Sequence, residues 1–249
     1  MNGDYIGDII RKIYVREALD CPAGCHVGEV VLPAGDRFQG AFLLNDVLVR
    51  KPYVLLTNRH YPQKRFDLAI RAMRIVCDRF PKAQLVVPGP ATNHTPELLA
   101  LAAELGLEAN VLFPGVISEE ELKRLYAEAA VYVYPAPEED FGMGVIEAMA
   151  CGIPVVAWNH AGPTVTVSAG QTGHLARPGD VEDYAAGILA YFGDRDLNDV
   201  TGRHAHYRAR LFTWERHVDR LAAAIKSVAG APAAAPVEAE PELVPVEAS

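Results

Sequence analysis

Apolar residues recur along the chain in two periods. Residues 53–57, 84–87, 110–113, 131–134 and 153–157 are short runs with few polar interruptions and read as buried strands. Residues 66–80 instead place Leu68, Ala69, Ala72, Ile75 and Val76 at helical spacing. Residues 96–105 form the next helical stretch, closed by Gly106, and Ser118 with Glu121 three residues later is a capping box that opens another. Strand and helix thus alternate over short connections, the pattern of a parallel, doubly wound α/β sheet. Three further helical stretches close the domain at 180–192, 197–211 and 214–228, the last with Val218, Leu221, Ala222 and Ile225 on one face.

The two ends read differently. Residues 4–18 carry Ile6, Ile9, Ile10, Ile13 and Tyr14 at the spacing of one amphipathic helix, and residues 29–32 read as a short strand. Residues 230–249 are rich in Ala, Pro and Glu, lack a packable face and are expected to be disordered. The chain of 249 residues, half of them hydrophobic, holds one substantial core rather than two. The expected organisation is a leading segment 1–50, a folded domain 51–229 and a tail 230–249.

Charge and cysteine usage narrow the class. A net charge of −9 with no basic run argues against nucleic acid or an anionic membrane as the main partner. No apolar run approaches a membrane span, and Met1-Asn2-Gly3-Asp4 lacks a signal-peptide pattern. A cytoplasmic protein is therefore expected, with peripheral contact at the inner membrane face as the other option. Cys21, Cys25, Cys77 and Cys151 make no disulfide framework. Cys21-Pro22-Ala23-Gly24-Cys25-His26 reads as a Pro/Gly loop with two thiols, since no second Cys/His pair completes a metal site. No metal or cofactor is expected.

The candidate chemistry lies between the strands at 131–134 and 153–157. Glu139-Asp140-Phe141-Gly142-Met143-Gly144-Val145-Ile146-Glu147 places one carboxylate on a Gly-rich loop and a second about a turn inside the following helix, so that both can face one crevice. A strand, a glycine loop, a helix N-terminus and another strand make a βαβ ligand site. Free N–H groups at the helix start suit a phosphate or diphosphate, and carboxylates suit the hydroxyls of a sugar or ribose. The ligand such a site points to is a sugar nucleotide. Two Glu residues at this spacing also occur by chance in helical proteins, but a solvated face would not need the small, tightly packed Ala148-Met149-Ala150-Cys151-Gly152 and the Pro154-led strand that follow.

The whole segment resembles the Glu-seven-residues-Glu motif of retaining GT-B glycosyltransferases of the family 4 type, the glycosyl transferases group 1, and similarity extends over residues 52–194 in the order of that family's donor-binding domain. The resemblance implies a Rossmann-like C-terminal half of a GT-B fold, with residues 1–50 as the end of an N-terminal acceptor domain and its crossover. It implies that Glu139 takes donor-sugar hydroxyls and nearby backbone, that Glu147 takes the nucleotide ribose, and that Phe141, Gly142, Met143 and Gly144 contact sugar and phosphate through backbone N–H groups. Thr57-Asn58-Arg59 and Lys64-Arg65 resemble the family's basic steps that hold the donor diphosphate, Arg59 as a two-pronged donor and Lys64 as a point charge. Gly89 and the Gly115-Val116-Ile117 turn sit where relatives approach the base, or are ordinary strand-end turns. Gly162 and Gly173 read as turn glycines first, and His160 as readily as a satisfied loop residue as a ligand. Asp140, where the family more often has glycine, adds negative charge beside the diphosphate.

The activity so implied is transfer of a hexosyl group from a nucleotide-diphosphate sugar to an unknown acceptor, with retention at the anomeric carbon and without a metal. Its partners would be the nucleotide sugar, the acceptor and a separate N-terminal acceptor domain. The alternative is a non-catalytic nucleotide-sugar-binding module or inactive partner subunit.

Overall fold

The computed structural model describes residues 36–228. The helix expected at 4–18, the strand at 29–32, the Cys21–Cys25 loop and the tail lie outside the described residues. Two compact units divide at Ala209 and Arg210.

The first unit opens with a hairpin of β1 (Ala41–Leu44) and β2 (Val47–Arg50), paired antiparallel from Ala41↔Arg50 to Leu44↔Val47. Asn45 and Asp46 both have positive φ, 44° and 63°, as a two-residue hairpin turn of right-handed twist requires. The Asn45 amide then donates to the carbonyls of Pro114 and Val116, each at 2.8 Å, which fastens the turn to the main sheet. Just upstream, the buried Arg37 guanidinium donates to the carbonyls of Ala127, Cys151 and Gly152, groups that the ends of two helices leave unpaired.

The main sheet contains β3 (Tyr53–Leu55), β4 (Gln84–Pro88), β5 (Val111–Gly115), β6 (Val131–Tyr134), β7 (Val155–Trp158) and β8 (Gly173–Ala176). They lie in the order β5-β4-β3-β6-β7-β8, and every pair is parallel. β3, β4, β6 and β7 are buried along their whole length, which is why they read as continuous apolar runs. β8 was not expected: its text Gly-His-Leu-Ala has no such run. Gly173, read as a turn residue, is instead its first residue, paired with Val155, and a Cβ there would fall 2.2 Å from the Val155 carbonyl oxygen.

Connecting these strands are α1 (Phe66–Arg79), α2 (Thr95–Glu104), α3 (Glu119–Glu128), α4 (Met143–Ala150) and the short α5 (Pro163–Thr166), while α6 (Val181–Gly193) and α7 (Arg195–Ala209) follow β8. α1 buries Phe66, Ala69, Ile70, Met73, Val76 and Cys77 along one stripe. Phe66, Ile70 and Met73 are almost wholly removed from water, each contributing about 1.5–3 kcal/mol. The Ser118–Glu121 capping box is formed at the head of α3. Asp180 caps α6 by accepting from the Asp183 N–H. Val131 and Val133 of β6 join residues of α1 and α6 in one cluster, while Tyr132 and Tyr134 alternate to the opposite face. Taken by itself, the second unit contains the helix Trp214–Val228. No helix among the described residues is long and apolar enough to cross a membrane.

Chain order in the sheet reverses between β3 and β6. In an open parallel sheet this leaves a crevice at the carboxyl ends of those two strands. Thr57 to Lys64 follow β3, and the Glu139 loop follows β6.

Candidate functional site

Because all six strands run the same way, the segments after β3, β4, β5, β6 and β7 share one edge. Gly89 and the Gly115 turn lie side by side there, with the Gly89 N–H bonded to the Gly115 carbonyl at 2.9 Å. Gly89 has φ +134°, and a Cβ would meet the Asn58 carbonyl oxygen at 3.3 Å, so the loops after β3 and β4 touch through it. Val116 is exposed and Ile117 half-buried. Below them the buried His60 imidazole lies 3.0 Å from Thr95 Oγ1 and between the rings of Phe66 and Phe113. Burial lowers its pKa and keeps it neutral.

The loop carrying Glu139 is pinned at both ends. Trp158 Nε1 donates to the Pro135 carbonyl at 2.7 Å, and the Gly162 N–H donates to the Glu139 carbonyl at 2.7 Å. Gly162 has right-handed helical angles, and a Cβ would lie 2.6 Å from the Glu139 and Asp140 backbone. It is therefore a turn residue at the head of α5, as its neighbours suggest, and also a close-approach glycine that fixes the acidic loop. Nothing in its local sequence signals a contact made more than twenty residues away.

Lys64 comes from a single 3₁₀ turn, Pro62–Lys64, after which Arg65 takes a left-handed conformation, φ 50°. That geometry sends Lys64 Nζ to Glu139 Oε2 at 2.8 Å. The same oxygen accepts the Tyr134 hydroxyl, and Asn58 Nδ2 stands 3.4 Å from that hydroxyl. Partial burial works to raise the Glu139 carboxyl, but the Lys64 and Tyr134 hydrogen bonds, the Lys64 charge and the Gly142 N–H outweigh it. The group lies below the usual carboxylate range and is ionised.

Glu147 sits in a separate network. Its Oε2 accepts the Tyr126 hydroxyl at 2.8 Å, and Thr57 Oγ1 joins the Tyr126 and Tyr132 hydroxyls at 2.6 and 2.9 Å. Burial raises the Glu147 pKa, against the Tyr126 bond that lowers it. α4, which carries Glu147, is preceded by Gly142 at its N-cap in a left-handed conformation, φ 81°, with no side chain capping its N-terminus. Its first N–H groups therefore face the same edge as Lys64. Gly144 in the first turn is where Tyr132 reaches the helix: a Cβ there would fall 2.3 Å from the Tyr132 hydroxyl oxygen. Phe141 and Met143 are half-buried beside it.

Of the residues singled out from sequence, Lys64 and Glu139 are in contact, and Glu147 lies one turn into the helix behind them. Arg59 is exposed, and its guanidinium makes no hydrogen bond or ion pair among the described residues. Tyr126, Tyr132, Tyr134 and Gly162 were not anticipated. For Tyr132 and Tyr134 the signal was the alternation Val-Tyr-Val-Tyr in β6, since two hydroxyls on one buried face need polar partners.

Residues 46–208 match the family described as glycosyl transferases group 1. The chain is 36% identical over 169 residues to a D-inositol 3-phosphate glycosyltransferase of Streptomyces avermitilis, covering 65% of this chain and 36% of that protein. It is 33% identical over 181 residues to a mannosylfructose-phosphate synthase of Agrobacterium fabrum, covering 70% and 40%. Among solved structures, a sucrose-phosphate synthase from Thermosynechococcus elongatus superposes with TM-score 0.64 at 30% identity, over 72% of this chain and 46% of that one. Anabaena HepE in complex with UDP and glucose superposes with TM-score 0.63 at 26% identity, over 70% and 48%. The match thus spans 36% and 40% of the two curated relatives. With its Rossmann-like GT-B sheet and the match over most of its length, the chain belongs to the glycosyl transferases group 1 family.

Proposed function

We propose that this chain is the donor-binding part of a retaining glycosyltransferase that transfers a hexosyl group from a nucleotide-diphosphate sugar. The observation that carries the reading is the Lys64–Glu139 pair, set at the switch point beside the uncapped start of α4. A nucleotide sugar has a matching sequence of groups. Its diphosphate suits the Lys64 ammonium, the exposed Arg59 fork and the α4 N–H groups. Its hexose hydroxyls suit Glu139, and its ribose hydroxyls suit Glu147.

In the reaction the bond from the anomeric carbon to the diphosphate lengthens, the carbon gains positive charge and the diphosphate gains negative charge. Lys64, Arg59 and the α4 dipole stabilise the departing anion without reorganising. Glu139, already ionised, orients the sugar. The acceptor hydroxyl attacks on the face the diphosphate leaves and passes its proton to a diphosphate oxygen, which gives retention. The acceptor is held outside this domain.

The test is thermal unfolding of the chain with UDP-, GDP- and ADP-sugars and the free diphosphates, with no metal added. A ligand at 100 times its Kd stabilises the folded state by about 2.7 kcal/mol, so a selective rise in Tm is expected for one base. UDP is the first to try, because HepE carries UDP and glucose. A folded chain whose Tm no nucleotide moves would contradict the reading.

A further inference from the structure

We infer that Tyr134 is the positioning residue for Glu139, holding the carboxylate when Lys64 turns its charge to the donor's diphosphate; this rests on the nucleotide-sugar reading of the site. Lys64 Nζ and the Tyr134 hydroxyl both bond the same oxygen, Glu139 Oε2. As long as Lys64 is so engaged, its charge is spent on Glu139 rather than on a phosphate. A donor diphosphate competes for that ammonium, and Glu139 then depends on what remains.

What remains is rigid. Tyr134 stands on the buried strand β6, its ring 6.4 Å from that of Tyr132 at an interplanar angle of 23°, and Asn58 Nδ2 lies 3.4 Å from its hydroxyl. Two side-chain torsions fixed by packing hold the donor in place, whereas Lys64 is a flexible four-carbon stem whose side chain is 23% exposed. Burial, and then the Glu139 hydrogen bond, push the Tyr134 hydroxyl far above its ordinary range, so it acts only as a neutral hydrogen-bond donor. It does not touch the reacting atoms in this scheme. Tyr126 stands in the matching place for Glu147, its hydroxyl 2.8 Å from that carboxylate.

The two tyrosines make opposite predictions for two probes, UDP-glucose and UDP, measured by calorimetry on the whole chain. Glu139 faces the sugar, which only UDP-glucose carries, so Tyr134→Phe should leave UDP affinity within about twofold and weaken UDP-glucose by roughly tenfold, the worth of one charge-assisted hydrogen bond. Glu147 faces the ribose, which both probes carry, so Tyr126→Phe should weaken both alike and leave their ratio unchanged. A partly unfolded variant lowers both apparent affinities by the same factor, so the ratio survives any loss of folded fraction. If the parent binds neither probe, the nucleotide-sugar reading has failed and the role of Tyr134 with it. If the parent prefers UDP-glucose and Tyr134→Phe keeps that preference, or loses both probes equally, the site reading stands and the positioning role is overturned.

Discussion

Gly144 offers a test of how α4 is seated, because one added methyl group should reverse its effect on stability according to what Tyr132 carries. In the first turn of a helix, Gly→Ala ordinarily stabilises by about 1 kcal/mol. Here the new Cβ would meet the Tyr132 hydroxyl oxygen at 2.3 Å, its Cζ at 3.3 Å and Thr57 Oγ1 at 3.5 Å. The oxygen is about 1 Å inside ordinary contact, and Tyr132 is buried on β6 with no room to retreat. Overpacking of this kind costs about 1–3 kcal/mol, so Gly144→Ala should be destabilising. Tyr132→Phe removes the offending atom. By itself it loses a hydroxyl bonded to Thr57, about 1 kcal/mol, while Thr57 and Tyr126 keep each other. Adding Gly144→Ala to Tyr132→Phe should then be neutral or stabilising. Urea unfolding of the parent, the two single variants and the double variant gives the cycle, with an expected coupling of about 1–3 kcal/mol. Effects that add within about 0.5 kcal/mol would refute the close contact and the seating of the helix on Tyr132.

Three further outcomes are expected. Gly162→Ala puts a Cβ 2.6 Å from backbone atoms that cannot rotate away, and should lower stability by about 1–3 kcal/mol in urea unfolding while abolishing the nucleotide-induced rise in Tm. At Arg65, φ 50°, both Gly and Ala remove the fork to Asp67, but only Gly relieves the left-handed strain, so Arg65→Gly should exceed Arg65→Ala in stability by about 1 kcal/mol. Glu147 has a folded pKa raised by burial, so its contribution is favourable below the ordinary carboxylate pKa and is lost as pH rises through the raised value. Glu147→Gln, whose amide oxygen can still accept from Tyr126, should therefore gain on the parent in stability as pH rises from 4 to 8, and a variant-minus-parent stability that stays flat or falls over that range would contradict the buried, raised carboxyl.

Much of the sheet was legible because a parallel sheet covered on both faces makes its strands continuous apolar runs. Val-Tyr-Val-Tyr and Val-Val-Ala-Trp could hardly be anything else. β8 and the hairpin carried no such mark. β8 has only Leu175 and Ala176 as apolar residues, and the hairpin turns on Asn45-Asp46 rather than on a glycine. In the candidate site, the sequence singles out Glu139 and Glu147 by their spacing and Lys64 by the basic step that resembles the family's. Their supports were less legible: Val-Tyr-Val-Tyr marks Tyr134 only as a buried hydroxyl in need of a partner, and Gly162 and Tyr126 act through contacts with residues more than twenty positions away. A glycine beside a proline reads as a turn, which Gly162 is, but the sequence does not show the loop after another strand packed against it.

A crystal of the chain grown with the nucleotide sugar that raises its Tm would show the donor itself. Expected are diphosphate oxygens within hydrogen-bonding distance of Lys64 Nζ and of the first N–H groups of α4, the hexose hydroxyls on Glu139, with Tyr134 still bonded to that carboxylate, and the ribose on Glu147. A donor bound elsewhere, or one that leaves the Lys64–Glu139 pair untouched and its diphosphate away from α4, would contradict the assignment of this edge as the donor site.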